Sequence, residues 1–556
     1  MSQGLAEGGI SDIIKLRFDS AGIPNPQIDV REYPQETIVV VRVSSVHFAR
    51  AVDVGNVIDT ELRARNFPGF VTVRRLDGPS ESERDQVSRG VSGAAADRLA
   101  QLLTARARTT ELQPSLAYIP DAANNLSAIL SSRHHLIFGR RGAGKTALMV
   151  EAKRILQSEG NSTLWINLHT HRGQKAGTIF LWAVQNLCDL LLQQADAVPS
   201  DLSVRISQLR DHVDSSLAKA LQDDLAASVI PRIQSVLRAV HKAQEKRLFI
   251  FFDDLHYLER SEQPKLLDQI HSAVRDCDVW LKVATIKHLS RWFEPNPPMG
   301  LQTGHDADHV DLDVTLQNPG DAKQFLEAIL KSYAQHLGIA RLSWLFSADA
   351  LDRLILASGA VPRDYLVLAG RTLREAKKRP RAQLVGVQDV NRAAGEAAQV
   401  KLTELEEDAA STQGSTTVIL AALRVLRRFC LEEKRCAFFR IDFRDKERHV
   451  AQYALLQSLM DLRLLHLVNP SLSDQHEAGH RFEVFTLDLS QFTGHRFKRN
   501  LRVLDFVDGE MVLKETGVRR PSKVGNTPRK LLDLLRRGPI FGLAALQGAP
   551  APDAAP

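Results

Sequence analysis

The chain has 556 residues, enough for about three to four domains, each with its own core. Its 44% hydrophobic and 25% charged residues are ordinary for a globular protein, and a net charge of +6 is too small an excess to name a partner. No apolar run approaches the ~20 residues of a membrane span, and the N-terminus carries no apolar signal segment, so a soluble, cytoplasmic protein without membrane partners is expected.

In chain order, Ile13–Phe18 reads as helix stopped at Ala21-Gly22-Ile23-Pro24. Gln27–Tyr33 and Thr37–Ser44 read as strands around Pro34, Phe48–Asn66 as helix, and Phe70–Leu76 as another strand. Residues 1–80 are therefore expected to be a small α+β accessory domain. Gly78–Gly93 is rich in Ser, Glu and Gly and reads as a linker, and Ala94–Arg108 as a polar-faced helix, so 81–114 joins the first domain to the rest of the chain.

Leu136-Ile137-Phe138 ends a buried strand, Gly139-Arg140-Arg141-Gly142-Ala143-Gly144-Lys145-Thr146 comes next, and Ala147 onward is helical. This is the P-loop pattern in its strand-to-helix setting. Glycines 139, 142 and 144 let backbone N–H groups converge on phosphate at a helix N-terminus. Lys145 is expected to reach the β- and γ-phosphates of ATP, and Thr146 to ligate Mg²⁺. After a second buried strand, Thr163–Leu168, and helical stretches to about Lys246, Arg247-Leu248-Phe249-Ile250-Phe251-Phe252-Asp253-Asp254 is an apolar strand ending in two carboxylates. Asp253 is expected to hold the metal, largely through waters, and Asp254 to polarise the attacking water.

A P-loop and, at this distance, an Asp-Asp Walker B strand together resemble the AAA+ and STAND ATPases over roughly residues 115–400, an arrangement in which the two strands need not be neighbours in the sheet. The resemblance implies a sensor at the end of Val279–Lys287, either Thr285 or Lys287. Ser358-Gly359-Ala360-Val361-Pro362-Arg363 resembles the Gly-x-Pro-Arg start of an AAA+ lid helix, with one extra residue between Gly359 and Pro362, which implies that Arg363 touches the γ-phosphate. Val385–Ala394 resembles the end of the lid in origin-recognition-type AAA+ proteins. That group works as ATP-dependent homo-oligomers with an arginine supplied in trans, for which Arg291 is the candidate.

Residues 115–315 are thus expected to be a P-loop core of α/β class, with a parallel sheet flanked by helices, and 316–402 a helical lid. Polar residues 403–415 read as a linker. In 416–492, helices at Val418–Glu432 and Arg448–Leu462 precede strands at Leu464–Asn469 and Arg481–Leu489 around the loop Pro470–His480, the order of a winged helix. Arg440, Arg444, Lys446 and Arg448 lead into its second helix and point to phosphate contact with duplex DNA. Residues 493–556 read as a basic, partly disordered tail carrying Arg496, Lys498, Arg499, Arg502, Arg519, Arg520, Lys523, Arg529, Lys530, Arg536 and Arg537, with Leu531–Leu535 as a docking helix. The four cysteines, Cys188, Cys277, Cys430 and Cys436, lack close pairing and read as reduced, mostly buried thiols. The function expected is an ATP-hydrolysing switch acting on DNA. The rival is a STAND-like signalling ATPase whose winged helix or N-terminal domain binds protein.

Overall fold

The computed structural model describes residues 7–32, 37–64, 67–76, 90–116, 118–121, 123–193, 199–217, 222–244, 246–313, 316, 318–397, 415–474, 479–493, 500–507, 510–515 and 528–547. Residues 1–89 with 93–95 form one compact unit, and 90–92 with 96–556 a second. The expected linkers at 78–89 and 403–414, and the basic residues Arg496, Lys498, Arg499, Arg519, Arg520 and Lys523, lie outside the described residues.

In the first unit, strands β1 (Gln27–Glu32), β2 (Thr37–Val43) and β3 (Gly69–Arg75) form a sheet in that order. β1 and β2 pair antiparallel, β2 and β3 parallel, as a crossover through the helix Phe48–Ala64 requires. Val39, Val41 and Val43 face the helices, where Ile14, Phe18, Ile58 and Leu62 complete a core.

The second unit is organised on five parallel strands: β4 (His134–Phe138), β5 (Ser162–Asn167), β6 (Leu248–Asp253), β7 (Val279–Thr285) and β10 (Ala307–Asp311). Their order in the sheet is β10-β4-β7-β6-β5, so β7 separates the strand before the glycine-rich loop from the strand that ends in Asp253. Between β7 and β10 lies the short antiparallel pair β8 (Phe293–Pro295) and β9 (Pro298–Gly300). The strands read as unbroken apolar runs because both faces are covered. Leu136, Phe138, Ile250, Phe252, Leu281 and Val283 pack under helices 176–193, 200–217, 222–244 and 262–274. Ile137, Phe249, Phe251 and Ala284 face the other way, against Ile129, Leu148, Met149 and Ala152.

One residue of β7 breaks the apolar pattern. Lys282 is fully buried, and its ammonium donates to the carbonyls of Ser131 and Arg133 at 2.8 and 2.9 Å and meets His135 Nδ1 at 2.9 Å. Burial lowers its pKa to about 7, while the three partners match its three donors.

Helices Pro319–His336, Ala348–Ser358 and Pro362–Lys377, with a further helix over 387–397, follow the sheet. The C-terminal part is more elaborate than helix, helix, hairpin. After helix Ser415–Arg428 and a π-turn at Phe429–Glu433 come strand β11 (Phe438–Asp442), a short helix Phe443–Arg448, helix Val450–Asp461, and strands β12 (Leu465–Ser473) and β13 (Arg481–Leu487). The sheet order is β11-β13-β12, and β12 runs on through Pro470 into the stretch expected to be loop, with register shifts along it.

The stretch expected to be a basic tail contains a folded hairpin, β14 (Arg502–Val507) with β15 (Glu510–Glu515), and a helix Pro528–Arg536. Buried Leu501, Val503, Leu504, Phe506, Leu534, Leu535, Phe541, Leu543 and Leu546 anchor it. These apolar positions alternate or recur every three to four residues among the basic ones, so the charge count hid them. All four cysteines are buried and free.

The hairpin is tied to helix Ala348–Ser358 by an ion pair, Arg353 Nη2 to Asp505 Oδ2 at 3.1 Å, both side chains 6% exposed; Lys514 reaches the same carboxylate at 3.2 Å. Arg353→Ala leaves the Asp505 carboxylate buried with Lys514 alone, and is expected to destabilise the protein by about 3 kcal/mol, the lower end for a broken buried pair. Denaturant unfolding checks this, and a loss below about 0.5 kcal/mol would contradict the assignment of that pair as buried and structural.

Candidate functional site

The P-loop takes its shape from where glycine is needed. Gly142 and Gly144 sit at φ +85° and +102°, and Gly144 caps the helix Lys145–Ser158. A Cβ at Gly142 would stand 2.8 Å from Arg363 Cβ and 3.0 Å from Val361 Cγ1, so this loop approaches the following helical segment as closely as backbone allows. The Arg363 N–H donates to Gly142 O at 3.3 Å.

Lys145 is buried, and its ammonium donates to the carbonyls of Gly139 at 2.6 Å and Arg140 at 3.1 Å. Burial lowers its pKa, opposed by the carboxylates of Asp254, Asp313 and Asp253. Thr146 Oγ1 donates to Asp253 Oδ2 at 2.8 Å. Among the described residues Asp253 Oδ1 is buried with no hydrogen-bond partner, so the Thr146–Asp253 pair fits a hard cation that takes one carboxylate oxygen and keeps its waters. Burial, and then the neighbouring Asp254 charge, push the Asp253 carboxyl up; Asp254 is pushed up by burial, against Lys145, His169, Arg108 and Arg141.

Asp254 stands in the left-handed region at φ +66°, just past β6, which turns its carboxylate out of the strand toward the loop. Beside it His256 Nδ1 lies 3.9 Å from Asp254 Oδ1, buried and without a hydrogen-bond partner. Burial first, then Lys145 and Arg141, lower the His256 pKa to about 2, so the ring is neutral.

These groups share one cavity of about 380 Å³. Arg141–Thr146, Asp254 and Arg363 belong to its lining, and Tyr118, Ile119, Phe325, Ile329, Tyr333 and Leu366 supply the apolar part of it. Gly139 and Arg140 do not line it. Arg140 turns behind the loop, its N–H and Nε donating to Asp313 Oδ1 at 2.8 and 3.2 Å and its Nη2 to Gly359 O at 3.4 Å.

Neither sensor candidate lines the cavity. Thr285 is fully buried against Ser290 Oγ, and Lys287 is exposed. Arg291 is half exposed and paired with Glu294. Of the basic residues before the second C-terminal helix, Arg440 lies 4.6 Å over the Phe482 ring and donates to Gly538 O at 2.9 Å, and Lys446 pairs with Glu483 at 2.7 Å; Arg444 and Arg448 are exposed.

No sequence signal pointed to the apolar lining, because no motif or spacing links Tyr118 to Tyr333. The contacts made behind the lid turn were hidden in the same way. Gly359 and Ala360 are left-handed at φ +56° and +61°, and a Cβ on Gly359 would stand 2.0 Å from His466 Nδ1. Arg463 pairs with Asp364, and Asp461 with His288. Burial raises Asp461 to about 7, opposed first by Arg141.

A glycine-rich loop capping a helix, a buried lysine, a threonine–aspartate pair and a five-stranded parallel sheet with an inserted strand give this unit a mixed α/β fold of P-loop type. A family described as ORC-CDC6-like matches residues 200–351, from after the glycine-rich loop through β6 and β7 into helix Ala348–Ser358, which bears out the resemblance to origin-recognition-type AAA+ ATPases. Among solved structures, the chain is similar to Orc1 of Aeropyrum pernix in complex with DNA at 14% identity, covering 67% of this chain and 90% of that one, with a TM-score of 0.34. It is similar to Cdc6p of Pyrobaculum aerophilum at 13%, covering 67% and 93%, with a TM-score of 0.30, and to a Thermotoga maritima RuvB variant at 15%, covering 52% and 76%, with a TM-score of 0.27. Nothing among curated proteins matches the chain. Among the described residues no helix is long and apolar enough to cross a membrane.

The raised carboxyls give a pH test. Folded Asp253 keeps a proton that the unfolded chain loses near pH ~4, so between that pH and its raised value the folded state binds more protons and stability falls as pH rises. Without nucleotide or divalent cation, the unfolding midpoint of the wild type relative to Asp253→Asn is expected to fall between about pH 5 and pH 8, since only the wild type carries this proton while the buried histidines act alike in both. An equal slope in the variant, by thermal denaturation across pH, would contradict it.

Proposed function

We propose that this chain binds and hydrolyses ATP as an AAA+-type switch and applies the resulting motion to duplex DNA or a DNA-bound assembly. The observation that carries the ATPase reading is the single cavity lined by Arg141–Thr146, Asp254 and Arg363, with the Thr146–Asp253 pair behind it. In this reading Lys145 and the loop amides of Gly142, Ala143 and Gly144 hold the β- and γ-phosphates. Mg²⁺, on Thr146 and Asp253, supplies charge neutralisation across the phosphates. Asp254 accepts a proton from the attacking water, and Arg363 meets the γ-phosphate and carries its loss to the lid. The apolar part of the lining, with its two tyrosines, suits a purine ring.

Several finer assignments belong to the same reading. Residues 1–80 are an accessory domain, 115–315 the ATPase core, 316–402 the lid, and 416–492 a winged helix followed by a basic segment. The order helix, strand, helix, helix, hairpin over 415–487 supports the winged helix, with Arg444 and Arg448 exposed beside its third helix. ATP-dependent self-association, and protein partners at the winged helix or the N-terminal domain, complete it. One observation favours the rival signalling ATPase: Arg440 and Lys446 are engaged within the fold, which leaves fewer cations for phosphate.

Asp254→Asn is expected to keep ATP and Mg²⁺ and to lose turnover by about 10²–10⁴-fold, because the amide cannot accept the proton. Wild-type turnover in this variant, by phosphate release, removes the role of Asp254. Duplex binding should weaken with salt at a log–log slope of about −0.9 per phosphate neutralised, and Arg444→Ala with Arg448→Ala should flatten that slope by about 2. Anisotropy across a salt series reads it; no duplex binding at about 50 mM salt with ATP present moves the proposal to the signalling reading.

A further inference from the structure

We propose that His256, two residues past Asp254, is a positioning residue for hydrolysis: its Nδ1–H donates to the Asp254 carboxylate and turns the second oxygen of that group toward the attacking water. The inference rests on the ATPase reading above and adds a residue that neither the glycine-rich loop nor the Asp-Asp strand end assigns.

The place of the ring is set by the strand end. β6 stops at Asp253, Asp254 turns left-handed at φ +66°, and Leu255–Tyr257 forms a single 3-10 turn, in which the Tyr257 N–H donates to Asp254 O and the Leu258 N–H to Leu255 O, both at 3.1 Å. Leu255 and Leu258 are buried on either side of the histidine and anchor that turn in the core. The His256 ring lies 4.5 Å from the Tyr257 ring. Tyr257 is in turn met edge-on at 4.3 Å by His169, just past β5, and has the Arg141 guanidinium 6.0 Å over its face. The ends of two strands and the glycine-rich loop thus hold this pair of rings in the cavity lining, to which both His256 and Tyr257 belong.

The His256 side chain is 4% exposed, its Nδ1 lies 3.9 Å from Asp254 Oδ1, and that nitrogen has no hydrogen-bond partner among the described residues. A buried ring nitrogen left unpaired costs free energy, so a partner within reach is favoured, and the Asp254 carboxylate is that partner. The gap is longer than a hydrogen bond, but the Asp254 side chain is 29% exposed and free to rotate toward the ring. Hydrogen bonds that serve catalysis are often long before substrate binds and tighten in the complex. Once one oxygen is held by Nδ1–H, the carboxylate can no longer swing, and its other oxygen keeps the alignment that proton transfer from water requires.

The test uses full-length His256→Asn, His256→Gln and His256→Ala, with phosphate release for kcat and KM, a fluorescent ATP analogue for affinity and thermal denaturation for folding. An Asn amide nitrogen stands close to the place of Nδ1, whereas a Gln amide reaches toward the place of Nε2. His256→Gln and His256→Ala are expected to lose kcat on the order of 10²-fold, with KM and nucleotide affinity within about threefold of wild type, and His256→Asn to recover most of that loss. Because His256 acts through Asp254, adding His256→Gln to Asp254→Asn should cost no further turnover. If His256→Ala fails to fold, the comparison of His256→Asn with His256→Gln decides alone. Wild-type kcat in His256→Gln, a His256→Asn protein as slow as His256→Gln, a fall in affinity as large as the fall in kcat, or additive losses in the double variant each overturns the inference and leaves the ATPase reading standing. Absence of turnover in the wild-type protein removes that reading and the inference together.

Discussion

The structure depends on placing unlike charges together at the carboxyl ends of parallel strands, where the sheet's low-dielectric core begins. Lys145 and Asp253 are both buried there, each in the other's field and each held by hydrogen bonds that offset part of the cost of burial. The Lys145 ammonium is satisfied by two loop carbonyls, which is why the loop folds tightly over it, and why glycine is needed where the backbone turns left-handed. Asp253 is only half satisfied: one oxygen takes Thr146, and the other has no hydrogen-bond partner among the described residues. An incompletely matched charge cluster of this kind is what a charged ligand completes, and strongly perturbed groups in a cleft are the usual mark of such a site.

The cluster is linked to the C-terminal part in good measure through the turn at residues 359–364. On one side the turn meets the P-loop, through Arg140 to Gly359 O and through Gly142 against Arg363. On the other it meets the C-terminal part, through His466 on Gly359 and Arg463 with Asp364. His466 is itself held by Asp488 at 2.7 Å, both fully enclosed. The turn is therefore a rigid spacer with close packing on both faces. Such contacts transmit displacement because a packed interface has few intermediate arrangements. Asp461 brings a carboxylate from the same C-terminal region into the field of Arg141, so the two regions share electrostatics as well as packing.

The sheet and the phosphate loop were legible in the sequence because each is written in a local pattern: apolar runs for strands covered on both faces, and glycines at fixed spacing before Lys145. Their neighbours in space were not. Tyr118 and Tyr333 are far apart in the chain and carry no spacing that links them, so the apolar lining of the cavity appeared only once the chain was folded. Arg140 read as a phosphate-loop residue, but Asp313, just past β10, captures it. The charge-rich end of the chain read as a tail because its basic residues dominate its composition, yet Val503, Phe506, Leu534 and Leu535 suffice to fold it onto the rest. In the C-terminal part the helices were visible by periodicity, whereas β11 was masked by its arginine, whose guanidinium lies over the Phe482 ring.

The most direct test of the central claim, that the phosphate loop and the 359–364 turn form one nucleotide-responsive unit, is hydrogen exchange of the wild-type protein with and without saturating ATP and Mg²⁺. The backbone amides of residues 142–146 and of 361, 363 and 364 are expected to slow together, since the N–H of Arg363 is bonded to the loop itself. Protection confined to the loop, or no change in either segment, would contradict it.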